Sequence, residues 1–210
     1  MSILDSLCAR RIVPVVVVED AESALPLARA LSDGGLPVAE VTFRTDAAAD
    51  AIRRIAAETD VLPGAGTVIR PEQVDLAVAA GARFVVTPGY SERVVDRCLE
   101  LGVPVVPGVA TATEVMAALD RGLELLKFFP AEASGGVAAL RALAGPFPRV
   151  GWIPTGGISA ENAASYLELP SVPAVGGSWM VAPKLIAAGD FAEVSRLAAE
   201  AVRLAAEARP

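Results

Sequence analysis

Short apolar runs alternate with amphipathic stretches along the whole chain, and this alternation predicts a repeated strand–helix unit. The apolar runs lie between Gly, Pro and charged residues, as buried strands do. The predicted strands are 12–18, 38–43, 61–65, 83–87, 103–107, 124–128, 151–154 and 172–176. The predicted helices are 22–33, 47–58, 71–80, 91–101, 112–121, 136–143, 160–167 and 190–207, with a short lead helix within residues 2–10.

Strict alternation of strands and helices predicts a parallel sheet covered by helices. Eight such units can close into a barrel or remain an open sheet. The first strand is not followed by the G-x-G-x-x-G turn of an open dinucleotide-binding sheet. The 210 residues fit a compact TIM barrel and contain no linker or low-complexity tract. We therefore predict an α/β fold with one domain over residues 1–210, a (β/α)₈ TIM barrel with a short N-terminal helix.

Composition narrows the classes of function. The net charge of −7 and the aromatic content of 5% argue against a nucleic-acid partner. No apolar run approaches the ~20 residues of a membrane span. Cys8 and Cys98 do not form a disulfide framework and the chain start lacks a secretion signal, so a cytoplasmic location is expected. The hydrophobic content of 53% fits either an Ala- and Val-rich core or apolar surface buried between subunits.

Histidine is absent from the sequence. This absence excludes Ser-His-Asp and Cys-His catalysis, His-ligated zinc and a histidine general base. A magnesium site made only of carboxylates stays open at this point. Acid–base chemistry must come from Glu, Asp, Lys, Tyr or a group of the substrate.

Lys127 stands in an apolar strand, in the run Leu-Leu-Lys-Phe-Phe over residues 125–129. Side chains alternate along a strand, so Leu125, Lys127 and Phe129 share one face. Burial disfavours the charged ammonium, and the neutral amine is a nucleophile toward ketones. The alternative is a lysine at a strand end that extends its ammonium into solvent. We favour a catalytic lysine because lysines are rarely buried without a partner.

Strand 38–43 carries a second polar pair on one face. Glu40 lies in the body of the strand and Arg44 lies just past its carboxyl end. Four residues of strand span roughly 13 Å, so the two side chains could flank a bound molecule. A structural ion pair at the barrel end is the alternative.

Glycine-rich turns follow the last two strands. Gly156 and Gly157 follow strand seven, and Gly177 and Ser178 follow strand eight. Backbone N–H groups in such turns bind phosphate, and TIM barrels often hold phosphate at these two loops. Small residues also follow strands three and four, near Thr67 and Pro88, so one face of the barrel is predicted to carry a pocket.

Taken together, these segments resemble 2-keto-3-deoxy-6-phosphogluconate aldolase, also described as 4-hydroxy-2-oxoglutarate aldolase. The matching segments occur in family order over nearly the whole chain: EVTFRT (40–45), GAGTV (64–68), TPG (87–89), PGVAT (107–111), KFFPAE (127–132), GGV (135–137), AGPFP (144–148), PTGGI (154–158) and GGSW (176–179). The resemblance implies a class I aldolase on a TIM barrel, a cytoplasmic homotrimer of the Entner–Doudoroff pathway that needs no metal or cofactor.

The resemblance also implies a role for each matching residue. Lys127 would form the Schiff base and Glu40 would transfer protons, while nearby Arg44 would favour the neutral lysine by like-charge repulsion. Five further residues would contact the substrate. Arg44 would bind the carboxylate with Thr67 beside it, and Pro88 and Phe129 would form walls of the pocket. Thr155 would also contact the bound substrate. Four residues would bind the phosphate: Gly156, Gly157, Gly177 and Ser178.

Three alternatives stay open at the level of sequence. The galactonate form of the substrate differs only in the configuration at C4, which the motifs do not report. A sugar-phosphate epimerase or isomerase would share the glycine loops but would not need the lysine. A barrel that only binds a phosphorylated sugar acid would have little reason to combine Lys127 with Glu40.

Overall fold

The computed structural model describes residues 2–208 as parallel strands surrounded by helices. The strands are β1 (Ile12–Val16), β2 (Val38–Thr42), β3 (Leu62–Gly66), β4 (Val85–Val86), β5 (Val105–Val106), β6 (Gly108–Val109), β7 (Leu125–Phe128), β8 (Gly151–Pro154) and β9 (Val175–Gly177). The helices are α1 (Ile3–Cys8), α2 (Ala24–Asp33), α3 (Ala48–Glu58), α4 (Pro71–Ala79), α5 (Glu92–Glu100), α6 (Ala112–Asp120), α7 (Gly136–Ala144), α8 (Ala163–Leu167), α9 (Pro183–Ala187) and α10 (Phe191–Glu207). Two short 3₁₀ helices cover Ala21–Ser23 and Trp179–Val181.

The strands close into a barrel through two junctions. One sheet has the order β5-β4-β3-β2-β1-β9 and the other has the order β6-β7-β8. β5 and β6 are two parts of one strand, separated by Pro107, which has no N–H to donate. A parallel bridge between Thr155 and Gly176 joins the other edges of the two sheets. With β5 and β6 counted as one strand, eight strands form the ring, which confirms the predicted TIM barrel.

Two hydrophobic clusters fill the fold. The larger one lies between the strands and the helices that cover them. The smaller one fills the interior of the barrel near the amino-terminal ends of the strands. The smaller cluster comprises Leu7 of α1 and the residues Val13, Val38, Phe84, Val86, Val106, Ile153 and Ala174. Because α1 packs into this cluster, the interior is closed at the amino-terminal ends of the strands. The polar groups of the site must therefore lie toward the carboxyl ends.

Glycines follow the ends of several helices, while some strand and helix bounds differ from those predicted. Gly35, Gly81, Gly102 and Gly122 follow helices and all have positive φ. The fourth strand was predicted over 83–87 but is regular only at Val85–Val86. Helix α9 was not predicted, since five residues contain too little periodicity to indicate a helix. No helix within residues 2–208 is long and apolar enough to cross a membrane.

Arg11 connects the first strand to the ends of two helices. Its guanidinium donates to the carbonyl of Leu167 at the end of α8 and to those of Ala205 and Ala208 at the end of α10. These carbonyls lie in the last turns of helices, where intrahelical donors are lacking. The residue itself has a φ of 60°, in the left-handed region. Three charge-assisted hydrogen bonds therefore hold a strained backbone position.

We expect Arg11→Ala to lower the free energy of unfolding by about 2–3 kcal/mol, because hydrogen bonds from a charged donor are lost. Urea unfolding followed by circular dichroism measures the change. Arg10→Ala is the matched control, since Arg10 is an exposed neighbour with the same charge. A difference between the two variants below about 0.5 kcal/mol would contradict the assigned role of Arg11.

Candidate active site

Lys127 and Glu40 meet inside the upper half of the barrel. The Lys127 amine donates to Glu40 Oε1 at 3.2 Å. Both residues are buried, with 5% of Lys127 and 2% of Glu40 exposed. Lys127 Nζ also lies 5.3 Å from the centroid of the Phe129 ring. A buried amine beside a buried carboxylate can pass its proton to that partner, so the pair can supply a neutral nucleophile together with a proton donor.

Gly66 of the neighbouring strand makes room for this pair. β3 lies beside β2, with Glu40 opposite Gly64 and Thr42 opposite Gly66. A Cβ atom added at Gly66 would lie 2.4 Å from Glu40 Oε1. The Glu40 carboxylate therefore crosses the position that any larger residue at 66 would occupy. This close contact explains why residue 66 is a glycine, whereas an added Cβ at Gly64 would lie 2.1 Å from the Phe84 ring.

We expect Gly66→Ala to fold and to lose roughly 10²-fold in turnover, because displacing a reacting group by about 1 Å can cost that much. Steady-state kinetics measure the loss, and circular dichroism verifies the fold. The matched control is Gly145→Ala at the end of α7, where an added Cβ meets nothing closer than 3.5 Å. Wild-type turnover in Gly66→Ala would show that the position of the Glu40 carboxylate is not critical.

A cavity of about 270 Å³ opens at the carboxyl ends of the strands. Seven of the predicted site residues line it: Arg44, Phe129, Thr155, Gly156, Gly157, Gly177 and Ser178. Lys127 and Glu40 are not among the lining residues. They precede the lining residues Phe129 and Arg44 on the same strands, and so lie deeper in the barrel. The structure thus brings most of the predicted site residues to one cavity, with Lys127 and Glu40 buried beneath it.

Thr67 and Pro88 lie on the same rim but do not line this cavity. Thr67 directly follows β3 and has a φ of 57°, which is unusual for a β-branched residue. Pro88 follows β4, and its carbonyl lies against Gly108, where an added Cβ would be 2.4 Å away. Gly108 in turn pairs with Lys127 across the strands β6 and β7. Pro88 is therefore close to the strand position of the lysine.

Sequence reasoning missed several apolar lining residues. They are Val15 and Val17 from the first strand region, together with Ile158, Val181 and Pro183 from the loops after β8 and β9. Their residue types gave no chemical signal, and only the closed barrel brings them together. They make the cavity partly apolar, which suits the carbon skeleton of a small ligand.

The loop at residues 155–158, named here the glycine loop, lines the cavity, and its first N–H, that of Thr155, donates to the Phe128 carbonyl at 2.9 Å. Its carbonyl groups accept hydrogen bonds from donors outside the cavity. The Ala131 N–H donates to the Thr155 carbonyl at 2.8 Å, and the Glu132 N–H donates to the Gly156 carbonyl at 3.1 Å. Asn162 Nδ2 donates to the Gly157 carbonyl at 2.9 Å. In a trans peptide the carbonyl and the following N–H point in opposite directions. The N–H groups of Gly156, Gly157 and Ile158 therefore face away from those donors.

The N–H groups of Gly157 and Ile158 form an anion-binding arrangement. Within residues 2–208 neither of these two groups donates to a protein acceptor, and both residues line the cavity. The Gly156 N–H instead points toward the Gly176 carbonyl, at the bridge between Thr155 and Gly176. Successive N–H groups in a tight turn attract anions, and phosphate in particular. Gly156 and Gly157 have φ values of 95° and 78°, which is the conformation that this turn requires and that side chains disfavour.

The remaining candidate groups take no part in this arrangement. Among residues 2–208, no three His, Cys, Asp or Glu side chains are grouped to hold a metal ion. Burial raises the pKa of the Cys98 thiol to about 12. Burial, with a smaller contribution from Asp5, raises the pKa of the Cys8 thiol to about 11. Neither thiol is therefore a thiolate nucleophile near neutral pH.

Comparison with known proteins decides the family. Residues 3–197 match the family model described as KDPG and KHG aldolase. The chain belongs to this aldolase family. Its members are carbon–carbon lyases, and the match confirms the resemblance drawn from the motifs.

Relatives of the chain match it over nearly their full length. It is 51% identical over 205 residues to the 2-dehydro-3-deoxy-phosphogluconate aldolase of Treponema pallidum (strain Nichols), covering 97% of this chain and 98% of that protein. It is 49% identical over 192 residues to the KHG/KDPG aldolase of Escherichia coli (strain K12), covering 91% and 90%. The crystal structure of KDPG aldolase from Legionella pneumophila, with pyruvate captured at low pH as a covalent carbinolamine intermediate, is similar with a TM-score of 0.91. That structure is 42% identical, and the similarity covers 95% of this chain and 97% of the other.

Proposed function

We propose that this protein is a class I aldolase that cleaves 2-dehydro-3-deoxy-6-phosphogluconate to pyruvate and glyceraldehyde 3-phosphate. We also propose that it acts on 4-hydroxy-2-oxoglutarate. The observation that carries the proposal is the buried Lys127 amine, 3.2 Å from the Glu40 carboxylate beneath an open cavity. The relative from Legionella, whose structure holds pyruvate as a covalent carbinolamine, supports it.

The first step is imine formation at Lys127. Glu40 accepts a proton from the lysine, and the neutral amine attacks the C2 carbonyl of the keto acid to give a carbinolamine. Loss of water, with a proton returned through Glu40, gives the protonated imine.

The second step breaks the bond between C3 and C4. Glu40 removes the proton of the C4 hydroxyl, and the C4 oxygen becomes the aldehyde. The electron pair of the broken bond becomes the C2=C3 double bond of an enamine, while the π electrons of the imine move to nitrogen. Glyceraldehyde 3-phosphate leaves. C3 of the enamine then takes a proton from Glu40, and water releases pyruvate and free Lys127. No metal ion or cofactor takes part, since the protonated imine accepts the charge.

The other site residues hold the two ends of the substrate. We assign the keto-acid carboxylate to Arg44, with Thr67 beside it, and the walls of the pocket to Pro88 and Phe129. Thr155 would contact the bound substrate at the start of the glycine loop. The N–H groups of the glycine loop, with Gly177 and Ser178 opposite, would bind the phosphate. The free N–H groups and their position on the cavity wall support this assignment.

Borohydride reduction in the presence of pyruvate tests the proposal. The reagent reduces an imine to a stable amine, so a three-carbon adduct is expected at Lys127 by peptide mass spectrometry. Lys184 is the internal control because it is the second of the two lysines and is exposed. An adduct confined to Lys184, or no adduct, would refute the mechanism. Turnover of the galactonate epimer in the same preparation would measure the preference at C4.

We also propose a cytoplasmic homotrimer that serves the Entner–Doudoroff pathway. Large apolar side chains are exposed on one side of the barrel, on or next to three consecutive helices: Ile69, Leu76, Leu99, Leu101 and Met116. Such a surface supports burial between subunits. Light scattering is expected to give three times the mass of one chain, and a monomer would contradict this assembly.

A further inference from the structure

Glu132 lies directly behind the glycine loop, on the side away from the cavity. It follows β7 at the end of the KFFPAE segment and is not a lining residue of the cavity. A Cβ atom added at Gly157 would lie 2.7 Å from both Cβ and Cγ of Glu132. The glycine loop therefore rests on the aliphatic part of the Glu132 side chain, and its position depends on where that side chain lies.

Tyr166 fixes the position of the Glu132 carboxylate. The tyrosine is fully buried on α8, and its hydroxyl donates to Glu132 Oε1. An atom added at Gly136 would lie 3.4 Å from this oxygen and 3.5 Å from the tyrosine hydroxyl, so the start of α7 packs against the same pair. Burial, with a further effect of Glu132, raises the pKa of Tyr166 above its usual value. The hydroxyl therefore remains a donor at all physiological pH values.

The backbone of Glu132 reaches the glycine loop as well. Its N–H donates to the Gly156 carbonyl at 3.1 Å. That carbonyl belongs to the same peptide group as the Gly157 N–H, which faces the cavity. A shift of residue 132 would therefore rotate a peptide group whose other end is an anion donor. Neither Glu132 nor Tyr166 lines the cavity, so neither contacts a ligand there directly.

We propose that Glu132 and Tyr166 are positioning residues that set the affinity of the glycine loop for a phosphate group, and so determine the preference for phosphorylated over unphosphorylated keto acids. The inference rests on the proposed function. The proposed support of the loop by Glu132 can be distinguished from a direct effect of its negative charge on phosphate binding. A carboxylate near an anion site would repel phosphate, whereas support of the loop makes the side chain favourable for phosphate binding.

Three variants separate these effects. Tyr166→Phe removes the donor but keeps the ring, Glu132→Ala removes the support and the acceptor, and Glu132→Gln keeps the shape and an acceptor oxygen without the charge. We expect Tyr166→Phe and Glu132→Ala to raise KM for 2-dehydro-3-deoxy-6-phosphogluconate about tenfold, with a smaller change in kcat. Glu132→Gln is expected to stay near the wild-type KM, since it keeps the contacts that hold the loop.

Two further measurements on the same three variants test for a general loss of structure. KM and kcat for unphosphorylated 4-hydroxy-2-oxoglutarate are expected to change less than about twofold in all three variants. Borohydride trapping of pyruvate at Lys127 is expected to be unchanged, because it needs no phosphate. Glu168→Ala, which removes an exposed carboxylate at the end of α8, is the matched control and should resemble wild type.

Equal rises in KM for both substrates would overturn the proposal, as would a wild-type KM in both Tyr166→Phe and Glu132→Ala. A tighter KM in Glu132→Gln would also overturn it, since repulsion would then be the main effect. These outcomes differ from a failure of the proposed function, in which the wild-type protein itself would give no adduct at Lys127. A selective rise for the phosphorylated substrate, restored by Gln at 132, supports the proposal.

Discussion

Lys127→Met is expected to lower the cleavage rate at least about 10⁴-fold, because removal of a covalent nucleophile leaves only binding and proton transfer. Methionine keeps the length of the side chain and is tolerated in cores. The substitution leaves Glu40 buried without its partner, so some loss of stability is expected as well. Kinetics with both substrates measure the rate, and borohydride with pyruvate should give no adduct at position 127.

The control for this variant is Lys184→Met. It removes the same charge from an exposed position on α9 and is expected to keep full activity. Thermal unfolding shows whether Lys127→Met is folded at the assay temperature. Substantial cleavage by a folded Lys127→Met protein would show that the reaction does not pass through an imine at this residue.

Glu40→Gln is expected to lower turnover about 10²- to 10⁴-fold, the range that a positioned acid–base group contributes. The amide keeps the size of the side chain and can still accept a hydrogen bond from Lys127, but it cannot take up the proton of the C4 hydroxyl. Imine formation should be slower, since Glu40 also carries the lysine proton, but the pyruvate adduct should still accumulate over a long trapping incubation while cleavage is lost. Borohydride trapping and cleavage are measured on the same sample.

A cleavage rate near wild type in Glu40→Gln would assign the base to another group. Loss of the adduct together with loss of cleavage would instead show that Glu40 acts mainly before the imine forms. Glu124→Gln provides a comparison, because Glu124 is an exposed carboxylate immediately before β7. It removes the same charge outside the barrel and is expected to be silent.

The barrel and the buried pair could be predicted because each depends on a local pattern. Alternation along β7 places Lys127 on a defined face, and alternation along β2 does the same for Glu40. Parallel strands of one barrel direct their carboxyl ends to one side, so the glycine turns after β8 and β9 had to share that side with Arg44.

Other features could not be predicted because they depend on contacts between distant segments. That the fifth strand continues beyond Pro107 is visible only in the barrel, where the Pro107 carbonyl accepts from the Lys127 N–H at 2.9 Å. Glu132 and Asn162 had no chemical signal of their own in the sequence. Both residues donate hydrogen bonds to carbonyl groups of the glycine loop. This loop lies over twenty residues after Glu132 in the sequence, so the contact could not be predicted from a local pattern.

The junction between the two sheets has a consequence for synthesis of the chain. Glu40 belongs to the six-stranded sheet and Lys127 to the three-stranded one, and the bridge from Thr155 to Gly176 joins their free edges. A ribosome must therefore translate beyond residue 176 before the ring can be complete. Until then the cavity wall formed by Gly176, Gly177 and Ser178 is missing, so a nascent chain meets keto acids without a complete binding site.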